Sequence, residues 1–336
     1  MRLGFDEESA MRALVMGARG AVGRVVVEEL RSRGHAVTRA GRCAGNDLTR
    51  LDLTAPEGLR TLAHLSAVHD VVINASGVET SALARCGAPA VVEISATSEY
   101  LDDLRRAVHE AVGGTTMSEA PAGTVVTGAG LVPGLSTLLI AELDAEPGDD
   151  VDLGVVLGTG EHHGAAAVEW TAGLLGTPVH HPPEGHRIVN LRQSRRIAEP
   201  GGRRRRYLRA DFPDHVLLAD RGVRVRSHLA LSSRSATGAL ALAGRVPALG
   251  PLLDRAPHLG SDEWLVVAQN RRTGRSRFAR GRRQSWATGV LTAFAAELVA
   301  GGAARGAVTM ADLTDAAAAQ GRLERHDRQT VAFDHG

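Results

Sequence analysis

Gly17-Ala18-Arg19-Gly20-Ala21-Val22-Gly23 stands between the apolar run Ala13-Leu14-Val15-Met16 and an amphipathic stretch over residues 24–33. A G-x-x-G-x-x-G spacing recurs in many chains by chance, so its surroundings decide its meaning. Here a strand pattern precedes it, and Val25, Val26 and Leu30 give the following segment an apolar helical face. Strand, tight turn and helix N-terminus, in that order, aim backbone N–H groups at a pyrophosphate. The alternative is a purely structural turn.

Working outward, residues 1–11 read as a frayed leader, and from Ala13 apolar strand-like runs alternate with amphipathic stretches, the pattern of a parallel sheet with crossover helices. Strands are predicted at 13–17, 35–40, 70–74, 89–95 and 124–129, with helices near 22–33, 56–66, 80–86 and 98–112. The fold class is α/β: a Rossmann-type doubly wound parallel sheet plus an α+β second domain with a mixed or antiparallel sheet.

The second strand runs into Ala40-Gly41-Arg42. An NAD site ordinarily has an acidic residue there for the ribose 2′-hydroxyl, whereas a guanidinium, a fixed cation with forked donors, suits a 2′-phosphate. Arg42, helped by Arg19, therefore points to NADP; the alternative is a solvated loop arginine. Asp52 is read either at the adenine edge or as a helix cap before Pro56-Glu57. Ligands of such sheets lie beyond the carboxyl ends of the strands, so Asn74, Ala75, Ser76 and Gly77 are expected beside the ribose and nicotinamide. Ser95 and Thr97 are second candidates one strand later, with Ser98 a possible N-cap of the next helix.

Composition narrows the function class. The 336 residues, 43% hydrophobic, suffice for one large or two ordinary domains with a sizeable core. A formal charge of +1 argues against a nucleic-acid partner. Cys43 and Cys86 offer neither a disulfide framework nor zinc spacing, and reduced thiols favour the cytoplasm. No run of about 18 apolar residues occurs. Asp6, Glu7 and Glu8 stand where a signal peptide is basic and then apolar, so a soluble, unexported protein with no membrane partner is expected. All 39 Lys+Arg residues are arginine, which excludes a Schiff-base lysine, a P-loop lysine and a Tyr-x-x-x-Lys dyad.

Residues 15–24, Ala40-Gly41-Arg42, residues 70–77 and Gly130-Leu131-Val132-Pro133-Gly134-Leu135-Ser136 together resemble the saccharopine dehydrogenase-like oxidoreductases. The last motif is the most specific: a Gly-x-x-Pro-Gly turn opening a helix over 135–143 is similar to that family's exit from its dinucleotide domain. The resemblance covers residues 13 to about 145 well and the remainder loosely. It implies an NADP-binding Rossmann domain (13–131), an α+β substrate and dimerisation domain (132–284) with Pro133 on the substrate side, and C-terminal helices returning to the first domain (285–322). Family members act on imine and secondary-amine carbons of amino-acid-like substrates, and some relatives reduce C=C bonds.

In the second half, a strand over 151–158 and an apolar helix over 164–175 flank Gly160-Glu161-His162-His163-Gly164. Related enzymes place a small-residue turn and helix here, close to substrate, which makes His162 or His163 a candidate proton donor; solvated or capping histidines are the alternative. No metal site is expected: Glu161, His162 and His163 are adjacent and lack the i, i+4 spacing of helical ligands. His180-His181 before Pro182-Pro183 reads as loop. Arg203-Arg204-Arg205-Arg206 after Pro200-Gly201-Gly202 reads as a hairpin tip feeding a strand, its charges solvated or catching an acidic substrate. Residues 223–231 alternate, with Val223, Val225, Leu229 and Leu231 on one face and Arg224, Arg226 and His228 on the other. Arg224 and Arg226 either hold a substrate carboxylate or face water. A strand is predicted at 264–269, an apolar helix at 284–300, and a final helix over 310–320 capped by Thr309.

These observations point to an NADP-dependent oxidoreductase, a cytoplasmic homodimer, moving a hydride to or from a small imine, secondary amine or ketone that is amino-acid-like. A C=C reductase would want an apolar pocket where this reading wants arginines. A non-catalytic NADP-binding sensor or partner protein is kept open by the missing Tyr-Lys dyad.

Overall fold

The computed structural model describes residues 10–43, 45, 47–113, 122–160, 165–249, 260–302, 304–325 and 332–333. Seven strands, β1 (Arg12–Met16), β2 (Ala36–Gly41), β3 (Thr49–Arg50), β4 (Val71–Asn74), β5 (Ala90–Glu93), β6 (Thr124–Thr127) and β13 (Gly306–Val308), form a parallel sheet in the order β13-β6-β5-β4-β1-β2-β3. Their apolar runs are continuous because both faces are covered. Ala13 and Val15 of β1 join one core cluster, and Leu14 and Met16 join another. The first face is packed by α1 (Ala21–Ser32) and α8 (Gln284–Ala300), the second by α2 (Pro56–Ser66) and α3 (Ser98–Gly113). The chain order reverses between β1 and β4, the switch point at which doubly wound sheets open a crevice for ligands.

The second sheet contains β7 (Asp150–Leu157), β8 (Ser194–Ala198), β9 (Arg204–Arg209), β10 (Arg224–Leu231), β11 (Glu263–Asn270), β12 (Ser276–Arg282) and β14 (Ala332–Phe333). Its order is β14-β12-β11-β7-β10-β9-β8, with β7 and β10 parallel and the other pairs antiparallel. Around it lie α5 (Ala165–Gly173), α6 (Asp214–Leu217) and α7 (Arg234–Arg245). Between the sheets, α4 (Leu135–Ala141) buries Leu135, Leu138 and Leu139 in the same core cluster as Val151, Leu153 and Val155 of β7. The two halves therefore share one continuous apolar core.

The C-terminal return is close packed. At Gly289 of α8 a Cβ would stand 2.5 Å from Val25 Cβ of α1, so glycine is what lets the two helices approach. Phe294 and Leu291 on the same helix are buried, each contributing roughly 1.5–3 kcal/mol. The structure departs from expectation after Thr309. That residue and Asp312 form a reciprocal capping box on a single 3-10 turn, Met310–Asp312, and Asp315 then caps a separate helix, α9 (Ala316–Glu324). Two cap residues six positions apart, Thr309 and Asp315, split the predicted helix in two. Strand β13, which extends the parallel sheet beside β6, was not expected. Its three residues are too few to show a period.

Candidate functional site

The glycine turn is built by close approach. Gly17 has φ +75°, and a Cβ on it would lie 2.2 Å from the Ala75 carbonyl oxygen at the end of β4. Its N–H and that of Ala18 donate to the Ala40 carbonyl of β2 at 3.0 and 3.3 Å. The turn is thus wedged between the two strands beside β1. Helix α1 then starts at Gly20 with no side-chain cap and no acidic residue in its first turn, so its positive end is left for an anion.

A cleft of about 240 Å³ opens over this turn. It is lined by Gly17, Arg19 and Gly20, by Arg42 after β2, by Ala75 and Ser76 after β4, and by an apolar wall that includes Leu51 and Leu53. Among the described residues neither the Arg19 nor the Arg42 guanidinium has a hydrogen-bond or ion-pair partner, and Arg42 is exposed. A backbone cradle that a Cβ would fill, a bare helix N-terminus and two cations without a hydrogen-bond or ion-pair partner, Arg42 with only a through-space attraction to Asp52, fit a phosphorylated dinucleotide. Ala21, Val22 and Gly23 supply the first turn of α1.

Beyond the cleft, Asn74 and Glu93 organise the strand ends. Asn74 Nδ2 donates to Glu93 Oε2 at 2.7 Å and to the Val78 carbonyl at 2.9 Å, while its Oδ1 accepts from the Ser76 hydroxyl at 2.6 Å. Gly77, at φ +76°, completes the turn. Glu93 also accepts from the Tyr100 hydroxyl at 2.8 Å and from the Ser95 N–H at 2.8 Å. Complete burial pushes its carboxyl up to about 7, against the pull of those donors. Ser95 in turn donates to Glu79 at 2.7 Å and accepts from the Thr97 N–H. Asn74, Ser95 and Thr97 therefore shape the site's wall through one another. Glu93 was missed from sequence, although a carboxylate inside Val91-Val92-Glu93-Ile94 is its signal.

The second half reaches this edge along a row of contacts on α3. Trp170 of α5 donates its indole N–H to the Ala96 carbonyl at 3.1 Å and packs on Phe212 with ring centroids 4.8 Å apart. Ser98 donates to Asp211 at 2.7 Å, and Arg105 pairs with Asp220 at 2.8 Å. Trp170, also missed, ties α5 of the second half to the segment that follows β5.

Other expected residues are placed differently. Asp52 turns its carboxylate to the N–H and hydroxyl of Thr54, at 3.0 and 2.7 Å, which favours the local turn before α2 over the adenine edge. Arg224 and Arg226 already hold a carboxylate, that of Asp150 at 2.7 and 2.6 Å, and Arg226 also lies 3.4 Å from Glu184. Both guanidiniums of β10 are engaged in ion pairs within the chain, which weighs against the substrate clamp, while Arg224 is also exposed, as the water-facing reading has it. Pro133 is buried in its turn, its carbonyl accepting from the Gly130 N–H at 2.9 Å. His162 and His163 lie outside the described residues.

The model of the NAD dependent epimerase/dehydratase family matches residues 13–110. Among solved structures, apo saccharopine dehydrogenase (L-Glu forming) from Saccharomyces cerevisiae matches with a TM-score of 0.54 at 13% identity, over 97% of this chain and 99% of that chain. A meso-dapdh mutant with DAP from Clostridium tetani E88 gives a TM-score of 0.44 at 13% identity, over 90% of this chain and 94% of that one. Dipicolinate-bound dihydrodipicolinate reductase from Paenisporosarcina sp. TG-14 gives 0.39 at 12% identity, over 89% and 97%. No curated protein matches the sequence. The likeness to the yeast enzyme shows a saccharopine dehydrogenase-like fold. Among the described residues no helix is long and apolar enough to cross a membrane.

Proposed function

We propose that this chain is an NADP-dependent oxidoreductase that moves a hydride to or from a small imine, secondary amine or ketone of amino-acid-like character. The observation that carries the reading is the uncommitted Arg42 guanidinium lining the same cleft as the Gly17 cradle. A cation at the end of β2 suits the 2′-phosphate that distinguishes NADP. The amino-acid-like substrate rests on the fold shared with the yeast saccharopine dehydrogenase.

NADP, when bound, supplies the hydride chemistry, and the protein's work is binding and orientation. Backbone N–H groups at the start of α1 take the pyrophosphate, and Arg19 and Arg42 take the 2′-phosphate end. Leu51 and Leu53 give the adenosine an apolar wall. The loop held by Asn74 and Glu93 fixes the strand ends on which Ser95 and Thr97 sit. His162 or His163 is the proposed proton donor on sequence grounds, and an unaltered rate and pH profile in His163→Ala would remove that candidate. We further propose a cytoplasmic homodimer, with Cys43 and Cys86 as free thiols.

Stopped-flow oxidation of NADPH against imines, keto acids and enoates tests the reading. Turnover of imines or keto acids is expected. Turnover of enoates alone would move the enzyme to C=C reduction, and tight NADPH binding with no turnover would make it a sensor.

A further inference from the structure

Away from the cleft, the row of contacts along α3 includes, between Ser98 and Arg105, a cluster that the proposed hydride chemistry does not use. Asp102, one turn beyond Ser98, faces His180 with Oδ2 3.2 Å from Nε2. One ligand atom from each of Asp102, His180 and His181 lies within 4.8 Å of the others. The two imidazoles are sequence neighbours, and in extended chain they would point to opposite sides. Here His181 has φ +38°, and the ring centroids stand 4.2 Å apart.

The site has a fixed half and an exposed half. The His180 backbone is held at both ends: its N–H donates to Asp211 Oδ2 at 2.9 Å and its carbonyl is 2.6 Å from His215 Nε2. His181 is exposed, with its ring edge-on to that of His180. A tetrahedral zinc ion with ligands at about 2.0–2.1 Å separates them by about 3.4 Å, so the Asp102–His180 pair, now in direct hydrogen-bond contact, already has about that spacing and the His181 ring has to move in by up to about 1.4 Å. Arg106 is the nearest cation, its Nε 3.9 Å from Asp102 Oδ2, but it is exposed and shared with Asp103.

We propose that Asp102, His180 and His181 bind a zinc-class divalent cation at the seam between α3 and the second domain, with water completing the coordination. Two imidazoles and one carboxylate suit Zn²⁺ and its neighbours rather than Mg²⁺ or Ca²⁺, which take oxygen ligands. Because its ligands come from both halves of the chain, the ion clamps the second domain onto the Rossmann sheet.

The test uses the full-length, tag-free protein after chelator dialysis. Titration with ZnCl₂ by calorimetry is expected to give one site with a Kd of about 10 μM or tighter, and a hundredfold excess over Kd to raise Tm by roughly 5 °C. Co²⁺ is expected to give the intense visible bands of a tetrahedral site. His181→Ala, at an exposed position where the fold tolerates the change, and Asp102→Asn are each expected to weaken binding at least about tenfold with unchanged circular dichroism, while His162→Ala/His163→Ala leaves it intact. Absence of heat and of Co²⁺ bands up to millimolar metal overturns the proposal. So does binding that survives His181→Ala and Asp102→Asn, or binding lost in the His162/His163 double variant.

Discussion

Asn74 and Glu93 stand opposite each other in the parallel register of β4 and β5, and the Asn74 amide donates to the Glu93 carboxyl at 2.7 Å. Neither residue lines the cleft, yet the loops after β4 and β5 hang on the pair. Asn74 Oδ1 holds Ser76, and Glu93 Oε1 holds the Ser95 N–H. The carboxyl is buried beneath the carboxyl-end edge of the sheet, and burial pushes it up to about 7.

That shift predicts a pH dependence. The folded value near 7 lies above the ordinary value of 4.5, so folding favours the protonated form. The contribution of Glu93 is complete below about pH 4.5 and is lost as pH rises through about 7, a change on the order of 3 kcal/mol. Urea denaturation should show wild-type stability falling relative to Glu93→Gln between about pH 5 and about pH 8. Parallel curves would show an ordinary carboxyl.

Gly17→Ala places a methyl 2.2 Å from the Ala75 carbonyl at φ +75°, where the strain alone is about 1–3 kcal/mol. Gly34, at φ +85° with nothing within 4 Å of its Cβ position, isolates that strain. Gly17→Ala is expected to lower Tm more than Gly34→Ala and to abolish NADPH binding in a fluorescence titration, which Gly34→Ala leaves intact.

Arg42→Ala should cost NADPH affinity about 1.5–3 kcal/mol, the worth of charge-assisted hydrogen bonds, or roughly ten- to a hundredfold in Kd. NADH affinity should change by less than about twofold, since NADH lacks the 2′-phosphate. An unchanged ratio of the two affinities would place the phosphate site elsewhere.

Arg226 separates a structural role from a substrate role. Burial works to raise the Asp150 carboxyl, and the bonds from Arg226 and Arg224 overcome it, leaving it below the usual range. Arg226→Ala removes the more buried partner, and chemical denaturation should show a loss of about 1–3 kcal/mol. The KM of whatever substrate the enzyme turns over should stay put; a selective rise in KM at constant stability would restore the substrate clamp.

The first half of the chain was legible because its signals are local. The apolar runs at 13–16 and 71–74 became β1 and β4, and residues 284–300 became α8 with the bounds expected. The hairpin at Gly201 and Gly202 was also readable, since two glycines at φ +83° and +81° need that composition. What escaped is non-local. Nothing near Arg224 announces Asp150, which lies 74 positions away, and His180 looks like loop until Asp102, 78 positions earlier, is folded against it. Period and spacing report faces; they do not report which distant charge a face will meet.

Trp170 tests whether the two halves act together. Its indole N–H bond to the Ala96 carbonyl links α5 to the residues between Ser95 and Thr97, and its ring rests on Phe212. Trp170→Phe keeps an aromatic ring for that contact and deletes the N–H. Losing one such bond is worth about 1 kcal/mol, or roughly fivefold in a rate or affinity. The loss should fall on kcat/KM, with the Kd for NADPH unchanged, because in the proposed function Ala96 belongs to the edge where substrate meets the nicotinamide and not to the Gly17 cradle. Equal loss in both quantities would mean that Trp170 supports the sheet as a whole.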